Sequence, residues 1–303
     1  MPASIARRSA TIKLAVGMAI IGTVGAFGVE SGLDAVTIVF WRSVFGTVFL
    51  LAWCLIFGYL PDRSLSLRTL ALSAAAGSCL VLSWAAFFAA ITMTSIATTT
   101  IVFHIQPFFV VLIGALFLKE RVTRDQLLWM TAAFLGVILA SGLGWSPGSV
   151  DHIWMLGIGV TILGALCYAI TAILGKKLGD QRPEVTSLCQ TGMGVLIFAP
   201  FVHFGQSILL PSWGWLVGIG IIHTGIAWVI IYSAYPQLST PVIGMLSFIY
   251  PIVAIVIDWV IYGHPLGLSQ ATGMLLIAIS TLGVRLGWRI RMLTGATAKI
   301  ERG

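Results

Sequence analysis

The sequence predicts an all-α integral membrane protein, with ten transmembrane helices arranged as two inverted halves of five. Three observations predict this class: an apolar composition, ten long apolar runs, and basic residues confined to one predicted side. Of the 303 residues, 58% are hydrophobic and only 9% are charged. Water-soluble domains have about 25% charged residues, so this composition excludes a soluble enzyme, a nucleic-acid-binding protein and a disordered chain.

The apolar runs define the predicted spans, because about 20 mostly apolar residues in a helix cross the hydrocarbon core of a bilayer. The runs do not alternate apolar and polar residues as the strands of an outer-membrane barrel do. The predicted spans lie at about 12–30, 35–57, 67–90, 96–118, 124–142, 153–175, 185–204, 213–235, 240–262 and 268–287. The linkers between them are too short for a second, soluble domain.

Basic residues predict the orientation of these spans. With the N-terminus in the cytoplasm, every one of the 17 Lys and Arg residues except Arg42 falls in a cytoplasmic segment, and the outer loops contain none. Such an excess is typical of multi-pass membrane proteins. We therefore expect a multi-pass protein of the bacterial inner membrane, with cytoplasmic tails at 1–11 and 288–303 and helical halves at 12–142 and 153–287.

An internal repeat supports the division into halves. A shift of 144 residues aligns similar residues at corresponding places in the two halves. The aligned pairs are Trp84 with Trp228, Ala90 with Ala234, Ser95 with Ser239, Pro107 with Pro251, Gln126 with Gln270 and Met130 with Met274. Because each half has an odd number of spans, the two halves cross the membrane in opposite directions, an architecture typical of transporters.

One loop of each half differs in charge as this inversion requires. Residues 119–125 are predicted to be cytoplasmic and include Lys119, Glu120 and Arg121, whereas the equivalent loop 263–269 is predicted to be outside and has no formally charged residue. The loss of charge follows from the exclusion of basic residues from outer loops.

These residues carry a resemblance to a known group. The sequence resembles the drug/metabolite transporter superfamily, in its ten-helix form built from two EamA repeats. The resemblance rests on Pro107, the run Leu118, Lys119, Glu120 and Arg121, and Gly136, together with Pro251 at the position equivalent to Pro107 in the second half. The second copy departs from the pattern, because His264 replaces the glutamate and Ser280 the glycine.

The resemblance implies two inverted five-helix EamA repeats and the export of amino acids or other metabolites. Within this superfamily, the chain most resembles the YddG-type exporters of aromatic amino acids.

Candidate substrate-binding residues lie near the predicted midplane. His104 and Gln106 are close to Pro107, and Tyr250 precedes Pro251; a proline within a helix leaves backbone carbonyls without partners, which would suit an ammonium group. The nearby aromatic rings would suit a large apolar side chain. The candidate set is His104, Gln106, Trp84, Tyr168, His223, Trp228, Tyr232 and Tyr250. For each residue alone, ordinary helix packing is the alternative role.

A second set is predicted to bend helices or to gate. Pro107 and Pro251 are the expected helix kinks. Arg42 and Asp258 lie in the outer parts of their spans. A pair between them would be either an outer gate or a structural ion pair, and Arg42 with Glu30 is the other possible pair. No P-loop, HExxH or GxSxG motif is present, so the sequence predicts no cofactor, no metal site and no catalytic residues.

The sequence-based hypothesis is a secondary transporter that exports small neutral or zwitterionic amphipathic metabolites, above all amino acids with aromatic or other apolar side chains. It would work by alternating access around a central cavity and, without a deep carboxylate, by facilitation. Its expected partners are a small-molecule substrate and the lipid bilayer, and a monomer would suffice. The alternatives are an exporter of drugs or cationic metabolites, a sensor, and an intramembrane enzyme using His104 and His223, the only available catalytic pair.

Overall fold

The computed structural model describes residues 3–62, 65–141, 152–263 and 266–289. Within these ranges every regular element is a helix, which confirms the predicted all-α class. The linker 142–151, His264 and the part of the expected C-terminal tail from 290 onward lie outside the described residues.

The described residues of the first half form seven helices. Its first span is divided at Thr23 into α1 (Ala3–Gly22) and α2 (Val24–Ser31), and α1 already begins inside the expected tail 1–11. The remaining helices are α3 (Ala35–Ile56), α4 (Leu67–Met93), α5 (Ile96–Phe103), α6 (Gln106–Phe117) and α7 (Arg124–Ala140).

The second half repeats this order with one irregular span. It begins with α8 (His152–Lys177) and α9 (Pro183–Phe198). The next span is continuous but changes its winding, through α10 (Leu210–Gly218), a π-helical segment (Ile219–Ile226), α11 (Ala227–Ala234) and a 3₁₀ turn (Tyr235–Gln237). It ends with α12 (Thr240–Leu246), α13 (Ile249–Tyr262) and α14 (Leu268–Leu286).

Eight spans among the described residues are long and apolar enough to cross a membrane. The helices α7 and α9 occupy the positions of the fifth and seventh predicted spans but have only 17 and 16 residues. The total of ten membrane crossings therefore stays a prediction, whereas the multi-pass helical fold is established.

The fourth span of each half is interrupted at the same place. His104 and Ile105 separate α5 from α6, and Ser247 and Phe248 separate α12 from α13. A proline follows each interruption within three residues and cannot donate a backbone hydrogen bond to the preceding turn. Each expected kink thus lies beside an interruption of the helix, at which some helical hydrogen bonds remain, such as the one from His104 N to the Thr100 carbonyl.

The fifth helices of the two halves begin alike and pack together. The third residue of each is a glutamine whose Oε1 accepts a 2.9 Å hydrogen bond from the N-cap backbone N–H, Gln126 in α7 and Gln270 in α14. Their backbones then approach so closely that a Cβ on Gly273 would lie 2.5 Å from the Gly136 carbonyl oxygen. Small residues permit this approach, and the core that results contains side chains from both halves.

Candidate functional site

An internal cavity of about 80 Å³ lies between the two halves, beside both helix interruptions. Its lining residues are Met18, Ile21, Val24, Arg42, Ser83, Trp84, Phe87, Phe88, Phe103, His104, Gln106, Tyr168, Trp228, Ser247 and Tyr250. We call this space the deep cavity. Six of the eight predicted substrate-binding residues line it, and His223 and Tyr232 are outside its lining.

Aromatic rings form much of the wall. Trp84 and Trp228, which are equivalent positions of the two repeats, have ring centroids 6.2 Å apart. Tyr168 lies 6.1 Å from Trp228 and 6.1 Å from Phe103, centroid to centroid. The inverted repeat therefore brings one tryptophan from each half to a shared apolar surface, which suits a ligand with a large apolar group.

His104 ends α5 and has a defined tautomer. Its Nδ1 is 2.6 Å from the Thr100 carbonyl oxygen. A carbonyl can only accept, so Nδ1 carries the hydrogen, and Nε2 is the acceptor of the neutral ring. The ring packs against Tyr250 at 5.4 Å between centroids, which joins the interrupted span of one half to that of the other.

Three polar atoms in the lining have no protein hydrogen-bond partner although they are buried. They are Ser83 Oγ, Gln106 Oε1 and the Trp228 indole Nε1. A buried polar group without a partner is costly, and in a cavity such groups commonly bind the polar atoms of a ligand. The lining thus offers an acceptor at Gln106, a donor at Trp228 and a hydroxyl at Ser83.

Arg42 is also part of this lining and is only 2% exposed. Its Nε donates a 3.0 Å hydrogen bond to Thr224 Oγ1, and its guanidinium carbon lies 3.8 Å above the centre of the Trp84 ring. The proposed partners lie elsewhere, since Asp258 lines a separate outer cavity and Glu30 accepts a hydrogen bond from Tyr262. The contacts described for Arg42 are therefore a hydroxyl and a ring.

The other two predicted residues support the wall from outside. His223 Nε2 is 2.7 Å from Thr23 Oγ1 at the break in the first span. Tyr232 donates a hydrogen bond to Gln190 Oε1 and packs 5.1 Å from Trp228, centroid to centroid. Both arrangements correspond to the packing role that the sequence left open.

The π-helical segment (Ile219–Ile226) is the feature that sequence reasoning missed. It carries Thr224 and lies so close to α3 that a Cβ on Gly220 would be 3.1 Å from the Arg42 carbonyl oxygen. The extra residue per turn in a π-helix shifts the side chains that follow, and such segments are frequent at functional sites. In the sequence, the glycines at 220 and 225 are the residues that could have indicated a close helix contact in this segment.

A second cavity, of about 820 Å³, lies on the side predicted to be outside, and we call it the outer vestibule. It is formed by α2, the end of α4 and α13, and both Pro251 and Asp258 line it. Phe87, Phe88 and Tyr250 line both spaces, so the vestibule and the deep cavity adjoin at these three side chains.

The side predicted to be cytoplasmic is closed by a polar contact between the halves. Glu120, in the loop after α6, forms an ion pair with Lys176 at the end of α8. Its other carboxylate oxygen accepts hydrogen bonds from Thr240 N at 2.7 Å and Thr240 Oγ1 at 2.9 Å. Lys176 also donates to the Leu238 carbonyl at 2.6 Å. We call this group the cytoplasmic latch.

The latch affects the acidity of its carboxylate. Burial raises the pKa of Glu120, but hydrogen bonds from Lys176 and Thr240 outweigh burial and place the pKa below its ordinary value. Glu120 is therefore ionised at neutral pH, and the ion pair is formed there.

An intramembrane enzyme would need His104 and His223 to face one another. The two histidines contact different partners, His104 with Thr100 and His223 with Thr23. Within the described ranges, no group of three or more His, Cys, Asp or Glu residues could hold a metal ion.

Comparisons with known proteins agree with this fold. One solved crystal structure superposes with a TM-score of 0.79 over 92% of this chain and 98% of its own, at 16% identity. An uncharacterized transporter, YxxF of Bacillus subtilis, is 34% identical over 275 residues, which cover 89% of this chain and 88% of the relative.

Two further relatives have substrates in their names. The pseudopaline exporter CntI of Pseudomonas aeruginosa is 25% identical over 81% of this chain and 84% of its own. The riboflavin transporter ImpX of Fusobacterium nucleatum is 24% identical over 62% of this chain and 66% of its own. The sequence profile of the EamA-like transporter family matches residues 10–142 and 155–286. The chain therefore belongs to the EamA-like transporter family, whose members are membrane transporters and not enzymes.

Proposed function

We propose that this transporter exports small neutral or zwitterionic amphipathic metabolites, and that amino acids with aromatic or other apolar side chains are its main substrates. One observation carries the proposal: an aromatic-walled cavity with unpartnered polar atoms adjoins the outer vestibule and is closed off by the latch on the opposite side. An amphipathic molecule would match both the rings and the polar atoms.

The sizes of the two spaces support a substrate that extends across both. Pockets for small molecules have volumes of about 300–1,000 Å³. The deep cavity, at about 80 Å³, is smaller, whereas the vestibule, at about 820 Å³, falls in this range. We infer that the charged groups of the substrate enter the deep cavity, where Trp84 and Trp228 pack against the first part of its apolar side chain, and that the rest of the side chain reaches toward the vestibule.

The arrangement of the two ends supports alternating access. The vestibule is open on one side while Glu120, Lys176 and Thr240 hold the other side together. Export would require the latch to open and the vestibule to close, so that the deep cavity faces the cytoplasm. The helix interruptions beside the cavity provide places where the two halves could move.

Facilitated transport is the simplest energetic scheme. No Asp or Glu lines the deep cavity, and the acidic residues Asp34 and Asp258 line only the vestibule. Intramembrane proton relays use Asp, Glu or His side chains. His104 is the only such side chain among the described lining residues, and its Nδ1 is already bonded to the Thr100 carbonyl. We therefore propose that the concentration gradient of the substrate sets the direction of transport in the cell membrane.

The alternative of a cationic drug exporter is disfavoured by Arg42. A buried guanidinium in a cavity without carboxylates repels a cation. The YddG-type assignment to aromatic amino acids stays within the proposal, supported by the paired tryptophans.

Flux measurements in proteoliposomes test the proposal. We expect saturable flux of L-phenylalanine and L-leucine, mutual competition between them, and no requirement for an imposed pH gradient. Tetraphenylphosphonium and glucose 6-phosphate serve as the cationic and phosphorylated comparisons. The Trp228→Phe variant should lower phenylalanine flux, while Trp259→Phe, at an exposed ring on α13, should leave it unchanged.

Two outcomes would contradict parts of the proposal. Strict dependence on a pH gradient would rule out facilitation. Saturable flux of glucose 6-phosphate without flux of amino acids would rule out the substrate class.

A further inference from the structure

We propose that Arg42 binds the carboxylate of the transported substrate and so makes the deep cavity selective for carboxylates. This inference rests on the proposed function and assigns the chemical group that the deep cavity recognises. It also gives Arg42 a different role from the gating pair that the sequence suggested.

The first argument is the electrostatic situation of the side chain. Arg42 is 2% exposed, and its described contacts are the Thr224 hydroxyl and the Trp84 ring. A guanidinium keeps its charge even when it is buried, and a buried charge is costly unless an opposite charge accompanies it. An arriving carboxylate would supply that charge.

The second argument is the geometry of the guanidinium. One Arg42 nitrogen, Nε, is occupied by Thr224 at 3.0 Å, and the ring of Trp84 covers one face at 3.8 Å. These two contacts fix the plane of the group and leave the N–H donors on its two Nη atoms. A planar pair of donors matches the two oxygens of a carboxylate.

The third argument is the remaining chemistry of the deep cavity. None of the described lining residues carries a carboxylate that would compete for Arg42. The Trp228 indole N–H, which has no protein partner, is a further donor for an anion, and Gln106 Oε1 is an acceptor suited to an ammonium group. A zwitterion could therefore be bound at both of its charged ends.

Thr224 acts as a positioning residue in this scheme. It is fully buried in the π-helical segment, and its hydroxyl accepts the Nε–H of Arg42. Without this bond the charge would remain but the orientation of its donors would not be fixed.

The test measures binding of three phenyl compounds to purified protein in nanodiscs, through the shift in unfolding temperature with ligand concentration. L-Phenylalanine and 3-phenylpropionate carry a carboxylate, whereas L-phenylalaninamide does not. We expect the wild type to bind the first two at least about tenfold more tightly than the amide. Arg42→Gln should weaken binding of both carboxylates by about 10- to 100-fold and leave the amide unchanged.

Two further variants keep the test decisive if Arg42→Gln fails to fold. Arg42→Lys retains the charge and should retain part of the selectivity for carboxylates. Thr224→Val retains Arg42 and should weaken carboxylate binding by about threefold to tenfold. The matched control is Arg182→Gln, which removes an exposed arginine that lies 4.3 Å over the Tyr59 ring and should change nothing.

The outcomes separate this inference from the proposed function. Equal binding of the amide and the carboxylates to the wild type overturns the role of Arg42, as does unchanged carboxylate binding in folded Arg42→Gln or no binding of any carboxylate. Tight, Arg42-dependent binding without flux in proteoliposomes contradicts the export function but supports the carboxylate site.

Discussion

The loops that lead into α7 and α14 are inverted copies with the same backbone feature and different chemistry. In the first loop Lys119 adopts a left-handed conformation with φ of 54°, and in the second the equivalent Gly263 has φ of 68°. The next residue in the first loop is Glu120, which forms the cytoplasmic latch. Its equivalent in the second is His264, which lies outside the described residues.

Both loops therefore have a left-handed residue at the same place, whereas only the first carries charged side chains, among them the carboxylate of the latch. A left-handed residue costs a non-glycine side chain about 1 kcal/mol or more, yet the first loop has lysine there. This unfavourable conformation lies directly before Glu120, which joins the two halves. The framework common to both repeats, and the charge present in only one, can be perturbed separately.

The largest expected effect comes from disturbing the shared framework. A Cβ on Gly273 would lie 2.5 Å from the Ala140 backbone N, and backbone atoms cannot move aside easily. We expect Gly273→Val to lower the free energy of unfolding by about 3 kcal/mol. Thermal unfolding in nanodiscs measures the change. Gly214→Val is the control, because no atom lies within 4 Å of its added Cβ, and an equal loss there would contradict the packing argument.

Removing the charge from the latch should have the next largest effect. Glu120→Gln keeps the shape of the side chain but removes its charge, so the ion pair with Lys176 is lost. We expect the ratio of outward-open to inward-open protein to fall by about 30-fold, from a loss of about 2 kcal/mol. Electron paramagnetic resonance distances between spin labels at positions 29 and 261, beside the vestibule, report this ratio.

The control for the latch is Glu184→Gln, which removes a carboxylate in the first turn of α9 on the same predicted side. It should leave the distances unchanged. If Glu120→Gln also left them unchanged, the latch would not stabilise the outward-open state.

The pH dependence sharpens the same comparison with a smaller effect over the accessible range. Because Glu120 has a folded-state pKa below its ordinary value of 4.5, its stabilisation is fully present above that value and is lost as the pH falls through the lowered pKa. The label distances should therefore stay constant from neutral pH down to about 5 and change only in stronger acid. A change near neutral pH that disappears in Glu120→Gln would contradict the lowered pKa.

The smallest effects should come from exchanging the left-handed residues. Gly263→Ala should lower the free energy of unfolding by about 1 kcal/mol, because alanine tolerates a positive φ poorly. Lys119→Gly should be neutral or stabilise by up to about 1 kcal/mol. Thermal unfolding of both variants measures the difference. A similar decrease in the free energy of unfolding of both variants would contradict this explanation and show that the two loops differ in more than side-chain chemistry.

Part of the lining of the deep cavity could be predicted from the sequence, because the repeat marks it. Equivalent residues of inverted halves meet near the pseudo-twofold axis, so Trp84 and Trp228 were identified from their alignment and lie together. The prolines were identified in the same way. Six of the eight proposed residues line the deep cavity, but only Trp84 and Trp228 among them are an aligned pair of identical residues.

The contacts between helices could not be predicted. Lys176 is 56 residues from Glu120, and Thr224 is 182 residues from Arg42, so no local spacing links either pair. The rotation of each helix about its axis decides these contacts. The π-helical segment adds a further change of phase that a regular helical period does not contain.

One short helix has a mechanical consequence. α12 has only seven residues, so it is about 10 Å long. Its first residue, Thr240, is held by Glu120, and Ser247, directly after its last residue, lines the deep cavity. α12 can therefore transmit a displacement from the latch, on the side predicted to be cytoplasmic, to the lining of the deep cavity without the bending of a long helix.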